Sequence, residues 1–383
     1  MPYNRDAQRI LTIIEALQRQ TVDELKKLAA LVSKAQKPNR KDELVTFVQR
    51  YLQGELHMLW TELDELQQAA VAEVVHSSNT NFPQSQFLAK YGQEPNWGKT
   101  SIYSYRYYSE PSNLCLFFYG YDQVMPDELK ERLKAFVPPP TPVRLETLDE
   151  PPKVFHRRWK QPNPKLSQRE GVDELPVVQC LMERAAPQDL QAVLRLTGAG
   201  KVAVSEKTRY PSTATMQALV PLLQGGDYYD NSEIGTIKAF AWPLIIQAAG
   251  LAELSGKRLQ LTSAGQKALS DPPHKTLRTL WKKWLKTKLL DELRRIDSIK
   301  GQTGKGQRGL TATDKRRSVI AAALADCPVG HWVAVDKFFR YMQAATYDFE
   351  VTRSPENLSI ENSYYGNLYQ VGLNAHSIIE RAI

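Results

Sequence analysis

AFAWPLIIQAAGLAELSGKRLQLTSAGQKAL, residues 239–269, decides how this chain reads. Its first eleven residues are apolar almost without interruption, and Gly250 stops them as a helix C-terminus would. Leu251–Leu254 then reads as a short strand and Ser255-Gly256-Lys257 as a tight turn. Arg258–Leu261 alternates polar residues with leucine, the pattern of a half-buried second strand. Thr262 stands where its hydroxyl can cap another helix, and Gly265 lets that helix pack close to the wing strand.

Helix, hairpin, helix in this order is the layout of the last helix and wing of a winged-helix domain, and the flanking residues supply the rest. APQDLQAVLRLTGAGKV (186–202) predicts a helix halted at Gly198 and Gly200, and VAVS (202–205) a strand. Ser212 or Thr213 then caps a helix through Met216, Leu219, Val220 and Leu223. After the hairpin, KTLRTLWKKWLKTKLLDELRRI (275–296) predicts one long amphipathic helix. Its stripe of Leu277, Leu280, Trp281, Trp284, Leu285, Leu289 and Leu293 reads as core, both tryptophans included.

The N-terminal half repeats the theme. Residues 1–55 read as helical: a stripe of Ile10, Ile13, Ile14 and Leu17, then two helices on either side of Pro38-Asn39. Thr21 and Glu24 form a capping box for the first of the two. Residues 56–137 read as helices at 63–76 and 85–92 and a hairpin of SIYSYRYYS (101–109) with NLCLFFYG (113–120), followed by a helix at 126–137. Eight prolines between 137 and 165 mark residues 138–170 as an extended linker. Residues 171–300 form the central winged helix, 301–314 a flexible cationic loop, and 315–383 a third winged-helix-like module. The C-terminal run Ser377–Ile383 is an uncapped apolar helical pattern that suggests further sequence. The expected fold class is mainly α with small β-hairpins (α+β), in tandem winged-helix-like modules.

Charge is concentrated in one place. Between Lys275 and Gly309 lie eleven Lys and Arg against three acids, a surplus equal to the formal charge of +8 of the whole chain. Clustered cations favour a polyanion, because each neutralised phosphate releases counterions. The candidate contacts are Lys275, Lys282, Lys283 and Lys286 on the basic helix and Lys257 and Arg258 in the wing. Lys207, Arg209, Ser212 and Thr213 stand before and at the expected recognition helix, and Arg40 and Lys41 form a possible N-terminal site.

Catalytic and metal patterns are absent from the sequence. The six histidines show no HxxxH or HExxH spacing, and Cys115, Cys180 and Cys327 lie far apart and read as buried free thiols. Gly304-Lys305 is followed by Gly306, where a phosphate-binding P-loop needs Ser or Thr. No apolar stretch is long enough to span a bilayer, and MPYNRDAQRI reads as neither signal nor transit peptide. These features predict a non-enzymatic, cofactor-free, cytoplasmic and nucleoid-associated protein with DNA as its partner and no membrane contact. The alternative is an adaptor that docks a helicase or nuclease without touching DNA.

Two resemblances sharpen this reading. Thr21-Val-Asp-Glu-Leu25 with Arg40-Lys-Asp-Glu-Leu44 resembles a SAP module, a small two-helix DNA-binding motif, although Lys37-Pro38-Asn39 replaces its usual small turn residue. Residues 125–300 resemble the non-catalytic N-terminal, helicase-associated region of bacterial relatives of the XPB-type DNA repair helicase. The motifs are Leu129-Lys-Glu-Arg-Leu133, Phe136-Val-Pro-Pro-Pro140, Val143-Arg-Leu145, Leu190–Leu196, Gly200-Lys-Val202, Ser205–Thr208, Ala241-Trp-Pro-Leu244, Gly250-Leu-Ala252 and Leu261-Thr-x-x-Gly265. The resemblance implies a DNA-handling scaffold working beside a helicase motor, in DNA repair or phage defence; the motor itself is missing.

Overall fold

The computed structural model describes residues 9–33, 37–101, 104–160, 170–228, 236–295, 299–300, 310–352, 359–361 and 368–370. Helices dominate, and the sheets are small and antiparallel, as the composition of turns and periodic stretches predicts. The chain divides into two compact units, one of residues 1–146 with 333–347 and the other of 147–332 with 348–383. In the sequence the division falls inside the proline-rich segment. The cationic loop at 301–309 and the C-terminal helical pattern at 377–383 lie outside the described residues.

The first unit begins with α1 (Ile13–Gln18), α2 (Val22–Val32) and α3 (Lys41–Gly54). The Thr21 capping box forms as read: the Glu24 amide donates to the Thr21 hydroxyl at 3.3 Å and the Thr21 amide to the Glu24 carboxylate at 2.7 Å. Next come α4 (Leu56–Thr61), α5 (Glu65–Val75) and α6 (Gln84–Tyr91), which Gly92 ends in the left-handed region. A hairpin of β1 (Gly98–Ser101) and β2 (Ser104–Pro111) precedes α7 (Asp127–Leu133). The hairpin turns earlier than expected, and Asn113–Leu116 is a 3₁₀ turn rather than a strand. Leu114–Tyr119 is buried on every side, so this run has no solvent face to give it a strand's alternation.

The second unit opens on a hairpin of β3 (Val154–Lys160) and β4 (Glu170–Pro176). The expected linker 138–170 therefore contains a strand, because its prolines stop at Pro152 and resume only at Pro162. α8 (Met182–Gly198) and α9 (Thr213–Leu219) follow, with Ser212 capping α9 through the Thr215 amide at 3.2 Å. Then come α10 (Lys238–Ala248), β5 (Ala252–Ser255), β6 (Arg258–Leu261) and α11 (Ser263–Ala268). Thr262 caps α11 through the Gly265 amide at 3.1 Å. A Cβ on Gly265 would lie 2.0 Å from the Leu251 carbonyl oxygen, so α11 approaches the backbone closely at the residue just before β5.

The extended residues Val202–Val204 pair with β6: the Leu259 amide donates to the Val202 carbonyl and the Val204 amide to that of Lys257, each at 2.9 Å. β6 is thus the middle of three antiparallel segments, between 202–204 and β5. Below them lies a core of Leu190, Val193, Leu194, Leu219, Trp242, Ile246, Leu259 and Leu280. α10 is fixed at its start by two acids. Asp189, fully buried, accepts from the Gln224 amide at 2.6 Å through Oδ1, and its Oδ2 faces Lys238 Nζ at 3.3 Å without a well-directed hydrogen bond. Asp227 receives the amides of Ile237, Lys238 and Ala239.

α12 (Pro273–Trp284) packs on α8 and α10. It ends at Trp284, about three turns short of the expected Ile296. A two-residue strand, β7 (Ile299–Lys300), pairs with β8 (Ser359–Glu361), which pairs with β9 (Leu368–Gln370). Residues 315–383 do not stay together as one module. α13 (Thr313–Ala325) belongs to the second unit, and α14 (Val335–Ala344) packs on α6 in the first.

Candidate nucleic-acid interface

α12 is where the chain's excess charge becomes a surface. Leu277 and Leu280 turn one side into the core. At 100° per residue, Lys275, Arg278 and Lys282 fall on the opposite side within an arc of about 60°, with Lys283 on its flank and Lys286 just past the helix end. All five are exposed, and among the described residues none of them makes an ion pair.

The acids of the same segment are occupied elsewhere. Arg316 and Arg317, both buried in α13, reach back to them. Arg316 Nη2 lies 3.0 Å from both oxygens of Asp291, and Arg317 Nη2 lies 2.9 Å from Glu292. Arg317 also donates to the carbonyls of Trp284 at 2.6 Å, Thr287 at 2.8 Å and Leu290 at 2.6 Å. Its guanidinium thus satisfies carbonyls at and beyond the end of α12. The net effect is that both carboxylates are paired with buried arginines, Asp291 largely covered and Glu292 still exposed, while the ammonium groups of α12 are left in water.

Both tryptophans depart from the expected core packing. Their rings stack at 5.1 Å between centroids with 27° between planes. Trp284 is half-buried, with the Arg317 guanidinium 4.6 Å from its ring centroid and its Nε1 donating to Glu292 at 3.1 Å. Trp281 remains 45% exposed.

The other candidates form two further groups. Lys207 and Arg209 sit in a turn between Ser205 and Tyr210, and Lys257 sits in the turn between β5 and β6. Because 202–204 runs antiparallel to β6, both turns emerge at the same end of the three-segment ladder. Lys207 and Lys257 are exposed, whereas Arg209 is half-buried in a left-handed conformation (φ 66°) with its carbonyl accepting from Gln247. Arg258 is exposed but donates to the Gly200 carbonyl at 3.2 Å. The Ser212 hydroxyl is committed to its cap, and Thr213 is exposed. Arg40 and Lys41 lie in the other unit, exposed beside Asp42 and Glu43, which balance them.

Neither helix before the hairpin is a cationic reading head. α9, TATMQAL, carries no charge at all. α10 is apolar around most of its circumference, and Leu290 and Tyr210 cover its Phe240 and Leu244. Its one cation, Lys238, is buried against Asp189.

Two smaller points concern chemistry. Of the three cysteines only Cys115 is buried, and burial pushes its thiol up to about 12, well away from a reactive thiolate; Cys180 is exposed and Cys327 half-buried. Among the described residues no group of three His, Cys, Asp or Glu side chains is placed to hold a metal ion, and no helix is long and apolar enough to cross a membrane.

No family model, curated protein or solved structure matches the chain.

Proposed function

We propose that this is a non-catalytic, nucleic-acid-binding scaffold of the cytoplasm that grips the phosphate backbone through α12, with little dependence on base sequence. In this reading, residues 182–268 are a winged-helix module. Supporting it is the order α8, extended segment, α9, α10, hairpin, with the last strand of the hairpin between the other two. The module serves as a support for α12 and the two basic turns, since its α10 is covered. Action beside a helicase, in repair or in phage defence, rests on the sequence motifs of residues 125–300.

The observation that carries the proposal is the uncompensated face of α12: five exposed cations whose neighbouring acids are held by Arg316 and Arg317. Phosphate contacts of this kind position a protein without reading bases. Replacing Lys282, Lys283 and Lys286 with Ala should lower the slope of log affinity against log salt by about two to three units. An unchanged slope rejects this face. The docking alternative draws on the β3–β4 hairpin, which exposes Phe155, Val172 and Leu175. It takes over if duplex, forked and single-stranded DNA all fail to bind at low salt.

A further inference from the structure

The exposed half of Trp281 gives the basic face a second kind of contact. We propose that Trp281 is a stacking platform for one unpaired base, so that the preferred ligand of α12 is single-stranded nucleic acid; this inference rests on the phosphate-binding reading of the same helix.

Three observations bear on it. First, Trp281 is held ready. Its partner Trp284 is fixed by a guanidinium at its ring, a hydrogen bond from Nε1 to Glu292, and the stack itself. Arg317, only 2% exposed and tied to three carbonyls, anchors the whole group. A side chain already fixed loses little conformational freedom when a ligand covers it. Second, an indole half in water beside this much unpaired positive charge is poorly suited to an apolar protein partner, since covering it would also desolvate Arg278 and Lys282. A nucleotide supplies an aromatic face and a phosphate together. Third, the spacing fits a strand. Arg278 lies one turn before Trp281 and Lys282 directly after it, about 6 Å beyond Arg278 along the axis, with Lys286 just past the helix end. In a duplex the bases are stacked on one another and present no free face, so only an unpaired base can meet the ring.

The test uses the full chain, a labelled oligothymidylate of about 15 nucleotides, and a duplex of the same length. Trp281→Ala should weaken single-strand binding roughly 5- to 150-fold, the range for loss of one stacked base. Duplex affinity and the salt slope should be unchanged, and Trp281→Phe should recover most of the loss. The tryptophan fluorescence of the wild type should be quenched by the single strand, with the quenching reduced in Trp281→Ala. Equal weakening of both ligands, or no weakening of either, overturns the inference. The Lys282/Lys283/Lys286 variant separates the two failures. If its slope falls while Trp281→Ala is silent, phosphate binding stands and base stacking does not; if neither responds, both readings fail.

Discussion

Arg317 offers the sharpest test of how the surface is built. Replacing it with Met keeps the apolar stem but removes the guanidinium that donates to the carbonyls of Trp284, Thr287 and Leu290 and faces Glu292. A buried carbonyl left without a donor costs about 1–3 kcal/mol. Leu290 is left without one, whereas the Trp284 carbonyl still accepts from the Thr287 amide and the Thr287 carbonyl from the Thr313 hydroxyl, each at 3.2 Å. Glu292, being exposed, adds little when its partner is lost. The expected loss is therefore about 1–3 kcal/mol, still a sizeable share of the roughly 5–15 kcal/mol that holds a typical domain together. Urea unfolding followed by tryptophan emission is well suited, since Trp159, Trp242, Trp281, Trp284 and Trp332 all lie in the second unit. Arg317→Lys keeps the charge but not the planar fork, and should restore less than half of the loss. A loss below about 1 kcal/mol for Met, or full rescue by Lys, would show that the fork does not organise this segment.

Two further outcomes follow from local geometry. Burial pushes the Asp227 carboxyl up, but backbone amides from Ala239, Lys238, Ile237 and Tyr228 outweigh it and hold the carboxyl below its ordinary range. A depressed folded value means stability that is present above the unfolded value, about 4, and is lost as pH falls through the folded one. Asp227→Asn should cost about 1 kcal/mol at neutral pH, and the two proteins should converge in acid unfolding below pH 4. Gly265→Ala drives a methyl into the Leu251 carbonyl and should cost about 3 kcal/mol or more by thermal unfolding, whereas Gly54→Ala, with nothing within 4 Å, should be neutral.

The sequence alone determined whatever depends on near neighbours along the chain. The Thr21–Glu24 box, the caps at Ser212 and Thr262, the stop at Gly92 and the β5–β6 hairpin are set by hydrogen bonds within a few residues, so residue type and spacing suffice. The lysines of α12 were legible too, because an apolar stripe at helical spacing leaves the remaining positions to solvent. What only the tertiary structure decided is where distant partners intervene. Amphipathic periodicity continues past Trp284, yet the helix does not, and a guanidinium thirty-three residues later caps its last carbonyl. The same arginine and its neighbour pair with Asp291 and Glu292, a contact between α13 and the segment after α12 that no local pattern encodes. Trp281 shares its stripe with core leucines, and spacing cannot tell a buried indole from one left open when the chain beyond it turns away. Nor could it foresee that α10 would be roofed by Leu290 and Tyr210: burial is a property of what arrives from elsewhere.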